Sequence, residues 1–178
     1  GLGRPNLVQN IAYNSSLHKN TLLNTNMRAV ITILKGFTAD INLFRQREMD
    51  DYGLYIDSRT AYGLPEQGFA KRSNFTNDKS LIELTLNYTK KIGDQNLTIM
   101  GGYSYEDNYY QNSGAQNRKF NNDYFNYNSL ESGEDLRNGD VWSGKSMNRL
   151  ISFFGRLNYN FKEKYLLTAT LRRDGSSK

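Results

Sequence analysis

The feature that most constrains this chain is a period-two alternation of apolar and polar residues, repeated in three pairs of segments that are each closed by a short turn. Phe37, Ala39, Ile41 and Leu43 alternate with Thr38, Asp40 and Asn42, the pattern of a strand with one apolar and one polar face. In the run before it, residues 27–34, Met27, Ala29, Ile31 and Ile33 hold one side while Arg28 and Thr32 share the other with Val30 and Leu34. Lys35-Gly36 between the two predicts a tight hairpin. The second pair sets Ile82, Leu84, Leu86 and Tyr88 against Glu83, Thr85 and Asn87, then Leu97, Ile99, Gly101, Tyr103 and Tyr105 against Thr98, Gly102, Ser104 and Glu106. The third sets Ile151, Phe153, Gly155, Leu157, Tyr159 and Phe161 against Ser152, Arg156, Asn158 and Asn160. It turns at Lys162-Glu163-Lys164 and returns through Tyr165, Leu167, Ala169 and Leu171. Strands are therefore expected near 27–34, 37–47, 81–90, 96–106, 149–161 and 165–173, an all-β antiparallel meander of about six strands in three hairpins.

Turns within each pair are short, whereas the pairs are joined by long polar connections, residues 48–79 and 107–147, well beyond the usual loop median of about 4–6 residues. Short turns at one end and long loops at the other, with strands of about ten residues, are how transmembrane β-barrels are built. Phe37, Tyr88, Tyr159, Phe161 and Tyr165 fall near the short-turn end, where an interfacial aromatic girdle belongs. A soluble meander gives the same alternation, so the runner-up is a soluble all-β carbohydrate-binding module whose polar faces are its exterior. Six strands are fewer than the about eight of the smallest membrane barrels, so the sheet is expected to be part of a large one. The turn-like Asp174-Gly175-Ser176-Ser177-Lys178 directly after a strand also suggests a piece of a longer protein.

Composition removes several chemistries. There is no Cys and only one His, so the sequence offers no disulfide framework, thiolate zinc site, cysteine nucleophile or multi-histidine metal centre. The 13 Tyr and 9 Phe beside a mean hydropathy of −0.74 favour strands and turns over an aliphatic helical core. The +5 net charge is spread among 18 acidic residues, which does not indicate nucleic acid.

The stretch Phe153-Phe154-Gly155-Arg156-Leu157-Asn158-Tyr159-Asn160-Phe161-Lys162-Glu163-Lys164-Tyr165-Leu166-Leu167-Thr168-Ala169-Thr170-Leu171-Arg172-Arg173-Asp174-Gly175-Ser176-Ser177-Lys178 closely resembles a signature hairpin of the SusC/RagA family of TonB-dependent outer-membrane transporters. Leu34-Lys35-Gly36-Phe37 and Asn96-Leu97-Thr98-Ile99-Met100-Gly101-Gly102-Tyr103-Ser104-Tyr105 resemble the family's earlier hairpin turn and its strand ending in Gly-Tyr-Ser, in the family's order. Where the family often has Asp-His, this chain has Asp94-Gln95. The resemblance implies an internal segment of a large barrel in the bacterial outer membrane, without enzymatic activity or cofactor, that imports oligomeric nutrients. It implies energy from the TonB complex, contact with outer-membrane lipid, a SusD-like surface lipoprotein as lid, and oligosaccharide or peptide as cargo. The family's plug domain and TonB box have no counterpart among these residues.

On the barrel reading Asp40, Asn42, Glu83, Arg156 and Arg172, opposite the apolar sets, face the lumen. Tyr109, Tyr110, Phe120, Tyr124, Phe125 and Tyr127, interleaved with amides, are the candidates for contact with ligand or lid, since flat rings stack on sugars and anchor interfaces. Self-packing of the loop is the competing role. Gly139-Asp140-Val141-Trp142-Ser143-Gly144-Lys145-Ser146 matches the spacing of a phosphate-binding loop, but a strand-like run follows it where a helix would have to begin. Asp50-Asp51 and the Glu131, Glu134, Asp135 group lack the acid/amide spacing with a central Gly of a calcium loop and are expected to be solvated. His18 is expected in a surface loop.

Overall fold

The computed structural model describes residues 7–177. After a short helix, α1 (Leu7–Tyr13), the chain is a six-stranded sheet in sequence order: β1 (Ser15–Leu34), β2 (Phe37–Ile56), β3 (Phe69–Ile92), β4 (Gln95–Arg118), β5 (Val141–Phe161) and β6 (Tyr165–Ser177). Three antiparallel hairpins follow one another as the alternation predicts. Each tight turn has a backbone reason. Gly36 takes φ +80°, and a Cβ there would stand 2.2 Å from the Thr89 carbonyl oxygen, so only glycine fits. Lys162 and Glu163 both hold φ near +55°, two left-handed residues within the three-residue turn between Phe161 and Tyr165.

The strands run further than expected. Their lengths of 20 to 24 residues for β1 to β5 exceed by about twofold the 9–11 residues of a membrane crossing. The long connections are corrected accordingly: β2 ends at Ile56 and β3 begins at Phe69, and β4 ends at Arg118 with β5 starting at Val141. Only residues 57–68 and 119–140 remain as loops, and these contain three 3-10 turns, Leu64–Glu66, Asn126–Asn128 and Leu130–Ser132. β1 likewise starts at Ser15 rather than near residue 27, so His18 is a strand residue. Where both faces of a sheet meet water, neither needs apolar side chains, and the period-two signal fades while strand geometry continues.

The chain divides into two compact units. One, made of Leu23–Arg47, Asp78–Tyr109 and Ser146–Lys178, contains the tight turns and the alternating segments. Its apolar set lies uncovered: Met27, Ile31, Leu43, Ile82, Leu84, Ile99, Phe153, Leu167 and Leu171 are all exposed. Its buried residues among those described are Ala39 and Ser152. A self-contained soluble meander would put its apolar face inside, so this burial is inverted relative to the carbohydrate-module alternative. Phe154 interrupts the polar side of β5, and its ring occupies the space beside Gly102, where a Cβ would lie 2.2 Å from it.

The other unit comprises Gly1–Leu22, Glu48–Asn77 and Tyr110–Lys145. It has a small ordinary core of Tyr55, Ala70 and Phe120, with Tyr127 and Leu130 packed against it. Both loops are braced on that core. The amides of Lys119 and Phe120 donate to the carbonyls of Glu66 and Gln67, and Phe120 forms a bridge with Gly133.

Candidate functional site

In the unit with the tight turns, one face carries the paired polar residues. The Arg28 guanidinium forks onto the Asp40 carboxylate, its Nε donating to both oxygens at 3.0 Å. Arg172 donates through Nε to Asp174 at 2.9 Å and through Nη2 to the buried Ser152 hydroxyl at 3.2 Å. Asn158 accepts from Thr168 at 3.0 Å. These lie opposite the exposed apolar set, because successive strand residues point to alternate faces. Asp40, Asn42, Glu83, Arg156 and Arg172 thus share the face that alternation assigns them, and the structure adds Arg28 as the partner of Asp40.

The six aromatic candidates are separated. Tyr109 and Tyr110 are consecutive on β4 and point to opposite faces, so they do not form one cluster with the loop rings. Phe120 is a core residue, 9% exposed. The Tyr127 ring rests where a Cβ on Gly53 would lie 2.8 Å away, with the Arg72 guanidinium 5.6 Å from its centroid. Tyr124 and Phe125 alone stand out, 82% and 52% exposed, with their rings edge to face at 5.1 Å.

Tyr110 belongs to a different patch, made of alternating residues on three strands. It stands 5.8 Å from Phe75 across β3 and β4, and Asn112 Nδ2 donates to its hydroxyl at 3.2 Å. Gly114, two residues further on, underlies Trp142 of β5, where a Cβ would come within 2.2 Å of the indole, and Lys71 Nζ lies 5.3 Å from the same ring. Phe75, Tyr110, Asn112, Trp142 and Lys71 therefore combine rings, an amide and a cation on one face. On β4 the same parity carries Gly102, Ser104 and Glu106. Sequence reasoning missed Phe75 and Trp142 because their strands were read as loop. In the same unit His18 meets Asp50 at 2.7 Å and lies edge-on to Tyr52. The expected solvated pair Asp50-Asp51 is instead two strand residues on opposite faces, Asp51 accepting from Arg72 at 3.0 Å.

The loops owe their order to buried carboxylates. Asp140 accepts from Gln116 Nε2 at 2.7 Å, Arg118 Nη1 at 2.6 Å and the Arg137 amide at 2.7 Å. These donors, Gln116 foremost, hold its carboxyl at about 2. Asp57 is held below the ordinary carboxylate range chiefly by the Arg59 side chain. Burial, reinforced by its hydrogen bond to Asp123, pushes the Tyr55 phenol far up. The Glu131, Glu134 and Asp135 group is not merely solvated: each carboxylate accepts a local bond, from Ser129, Asn121 and Arg137. No cluster of three or more metal-ligating side chains occurs among the described residues. Gly144, Lys145 and Ser146 lie inside β5, so their extended backbone does not gather the amides a phosphate loop requires.

The fold and its two faces define a class first: an open stretch of the wall of a large antiparallel membrane barrel. No family model matches the chain. In sequence it is similar to TonB-dependent receptor P3 of Formosa agariphila, 38% identical over 104 residues, which are 58% of this chain and 10% of that protein. TonB-dependent receptor SusC of Bacteroides thetaiotaomicron is 31% identical over 91 residues, 51% of this chain and 8% of that one. In fold it is similar to the RagAB peptide importer in its open-open state, with a TM-score of 0.83 at 20% identity over 93% of this chain and 18% of that one. The ferric citrate transporter FecA gives a TM-score of 0.58 at 11% identity, over 93% of this chain and 22% of that one. The chain is similar to SusC-like TonB-dependent receptors and has the fold of part of a TonB-dependent transporter barrel. It spans about a tenth of the curated relatives it matches. Those relatives are receptors and transporters, not enzymes.

Proposed function

We propose that the chain forms part of the barrel wall and extracellular loops of a SusC-like importer that moves oligomeric nutrients across the bacterial outer membrane. The observation that carries this reading is the inverted burial: an uncovered apolar face on one side of three hairpins and paired charges such as Arg28–Asp40 on the other. Apolar side chains on the outer surface have a solvent in lipid, and paired charges have one in a water-filled lumen. Asp40, Asn42, Glu83, Arg156 and Arg172 line that lumen. Energy comes from the TonB complex through other parts of the protein, and a SusD-like lipoprotein closes the outer mouth.

The two aromatic sets take different parts. Phe75, Tyr110 and Trp142, with Asn112 and Lys71, form the face that meets cargo, since rings and amides suit the ring faces and hydroxyls of a glycan and equally the side chains and carbonyls of a peptide. Tyr124 and Phe125, exposed on the loop 119–140, meet the lid. In the intact transporter, Trp142→Ala is expected to lower uptake with lid affinity kept, and Tyr124→Ala/Phe125→Ala to lower lid affinity with the barrel assembled. Unchanged uptake in the first and unchanged lid affinity in the second would remove both assignments.

A further inference from the structure

On the apolar face, five strands change character at the same end, the one away from the tight turns. After Leu43 on β2 come Arg45 and Arg47; before Ile82 on β3 comes Asp78; after Tyr105 on β4 comes Asp107; before Ile151 on β5 comes Arg149; after Leu171 on β6 comes Arg173. All have the parity of the apolar set. Two of these arginines are matched across strands, Arg47 with Asp78 at 3.6 Å and Arg149 with Asp107 at 3.0 Å. Arg45 and Arg173 have no acidic partner among the described residues.

Each unmatched arginine borders a groove. The first, about 290 Å³, is lined by Leu23, Thr25, Arg45 and Arg47. The second, about 500 Å³, has Ile151, Phe153 and Tyr105 as its apolar lining with Arg149 and Arg173 beside them, and Asp174, also at its edge, has its carboxylate taken by Arg172. The strand register explains the second: Arg173 lies opposite Phe153, while Gly175 opposite Ile151 and Ser177 opposite Arg149 leave room that larger side chains would fill. Both grooves therefore repeat one design, an apolar lining, one arginine committed to a carboxylate and one left over, at the level where the apolar surface stops.

We propose that these two grooves bind a phosphate-bearing lipid of the surrounding leaflet, its acyl chains against Leu23 or Ile151 and Phe153 and its phosphate on Arg45 or Arg173. A guanidinium matches phosphate with two parallel N–H donors, and the apolar lining sits where the first methylenes below a headgroup would lie. The neighbouring Arg47 and Arg149, neutralised by Asp78 and Asp107, leave each groove with a single net positive charge, suited to one anionic headgroup and indifferent to a zwitterionic one.

The inference rests on the reading that the apolar face meets lipid, and the test separates the two. The intact transporter containing this segment is reconstituted in phosphatidylcholine bilayers with spin-labelled phosphatidic acid or spin-labelled phosphatidylcholine as probe. The protein is expected to prefer phosphatidic acid, and Arg45→Gln/Arg173→Gln to lower that preference by about fivefold, the effect of one basic residue near a headgroup at each groove. Equal association of the two probes, or a preference unchanged in the double variant, overturns the sites. Quenching of the Leu84→Trp variant by brominated acyl chains, read against the unsubstituted protein, checks the face beneath them. Its quenching without lipid preference overturns the grooves alone; its failure overturns the lipid-facing reading and the grooves with it.

Discussion

At the scale of single residues, two kinds of position carry the structure: glycines that receive a ring, and polar groups that tie loops down. Tyr55 is fully buried and its hydroxyl donates to Asp123, which also accepts from the amide and hydroxyl of Ser58. Tyr55→Phe keeps the ring and removes one donor, so it is expected to loosen the loops by about 1.5 kcal/mol, the lower end for a bond to a charged group. Hydrogen exchange at the amides of Ser58 and Lys119 checks this; unaltered exchange would mean that the bond contributes nothing. Gly102→Val, by contrast, should drive Phe154 from its place and slow barrel assembly, followed by the heat-modifiable mobility shift of the folded barrel on gels. Glycines that receive a ring were illegible in the sequence. Nothing in Gly102 or Phe154 alone distinguishes a ring seated on a neighbouring strand from an apolar intruder on a polar face, because the pairing lies in the register between strands and not within either one.

At the scale of elements, legibility followed solvent. The alternation of Ile82, Leu84 and Leu86 with Glu83, Thr85 and Asn87 marked β3, and the segments 37–47, 96–106 and 165–173 were visible for the same reason: one face is apolar and the other is not. The remaining halves of the strands, such as the first part of β3 from Phe69, alternate between polar residues of different kinds, and periodicity of hydropathy cannot detect them. The same contrast sets the response to charge. Arg at Leu84 is expected to cost about 2–4 kcal/mol if it lies near the bilayer midplane, and Arg at Thr85 little; unfolding of the barrel in urea from lipid vesicles would measure the difference. For the loop 119–140 the controlling element is its exit at Asp140. That carboxyl titrates at about 2 in the folded protein against about 3.9 in an unfolded chain. Because the folded value is depressed, its stabilisation is complete above about pH 4 and is lost as the pH falls toward 2. Protease cutting within residues 119–140 should rise over that window and should rise at neutral pH in Asp140→Asn.

At the scale of the whole molecule, the assignment of faces is a single binary choice that every strand must obey. Single cysteines at Ile41 and Asn42 test it in the intact transporter. Position 42 should react with a water-soluble reagent entering the lumen and position 41 only with a reagent dissolved in the bilayer; the reverse pattern would invert the sheet. The aromatic candidates proved less legible at this scale than the faces, since Phe120 serves the core and Tyr109 and Tyr110 part company on β4, whereas Tyr124 and Phe125 remain free at the surface.

The long strands also bear on mechanics. β3 and β4 keep strand geometry for 24 residues each, and the loops that precede β3 and follow β4 are clamped by Tyr55, Asp123 and Asp140. Loops so thoroughly braced have few soft joints and are expected to move with the strands that carry them and not to swing as a flap. On the importer reading proposed above, these loops are a fixed rim, and the moving gate is a different part.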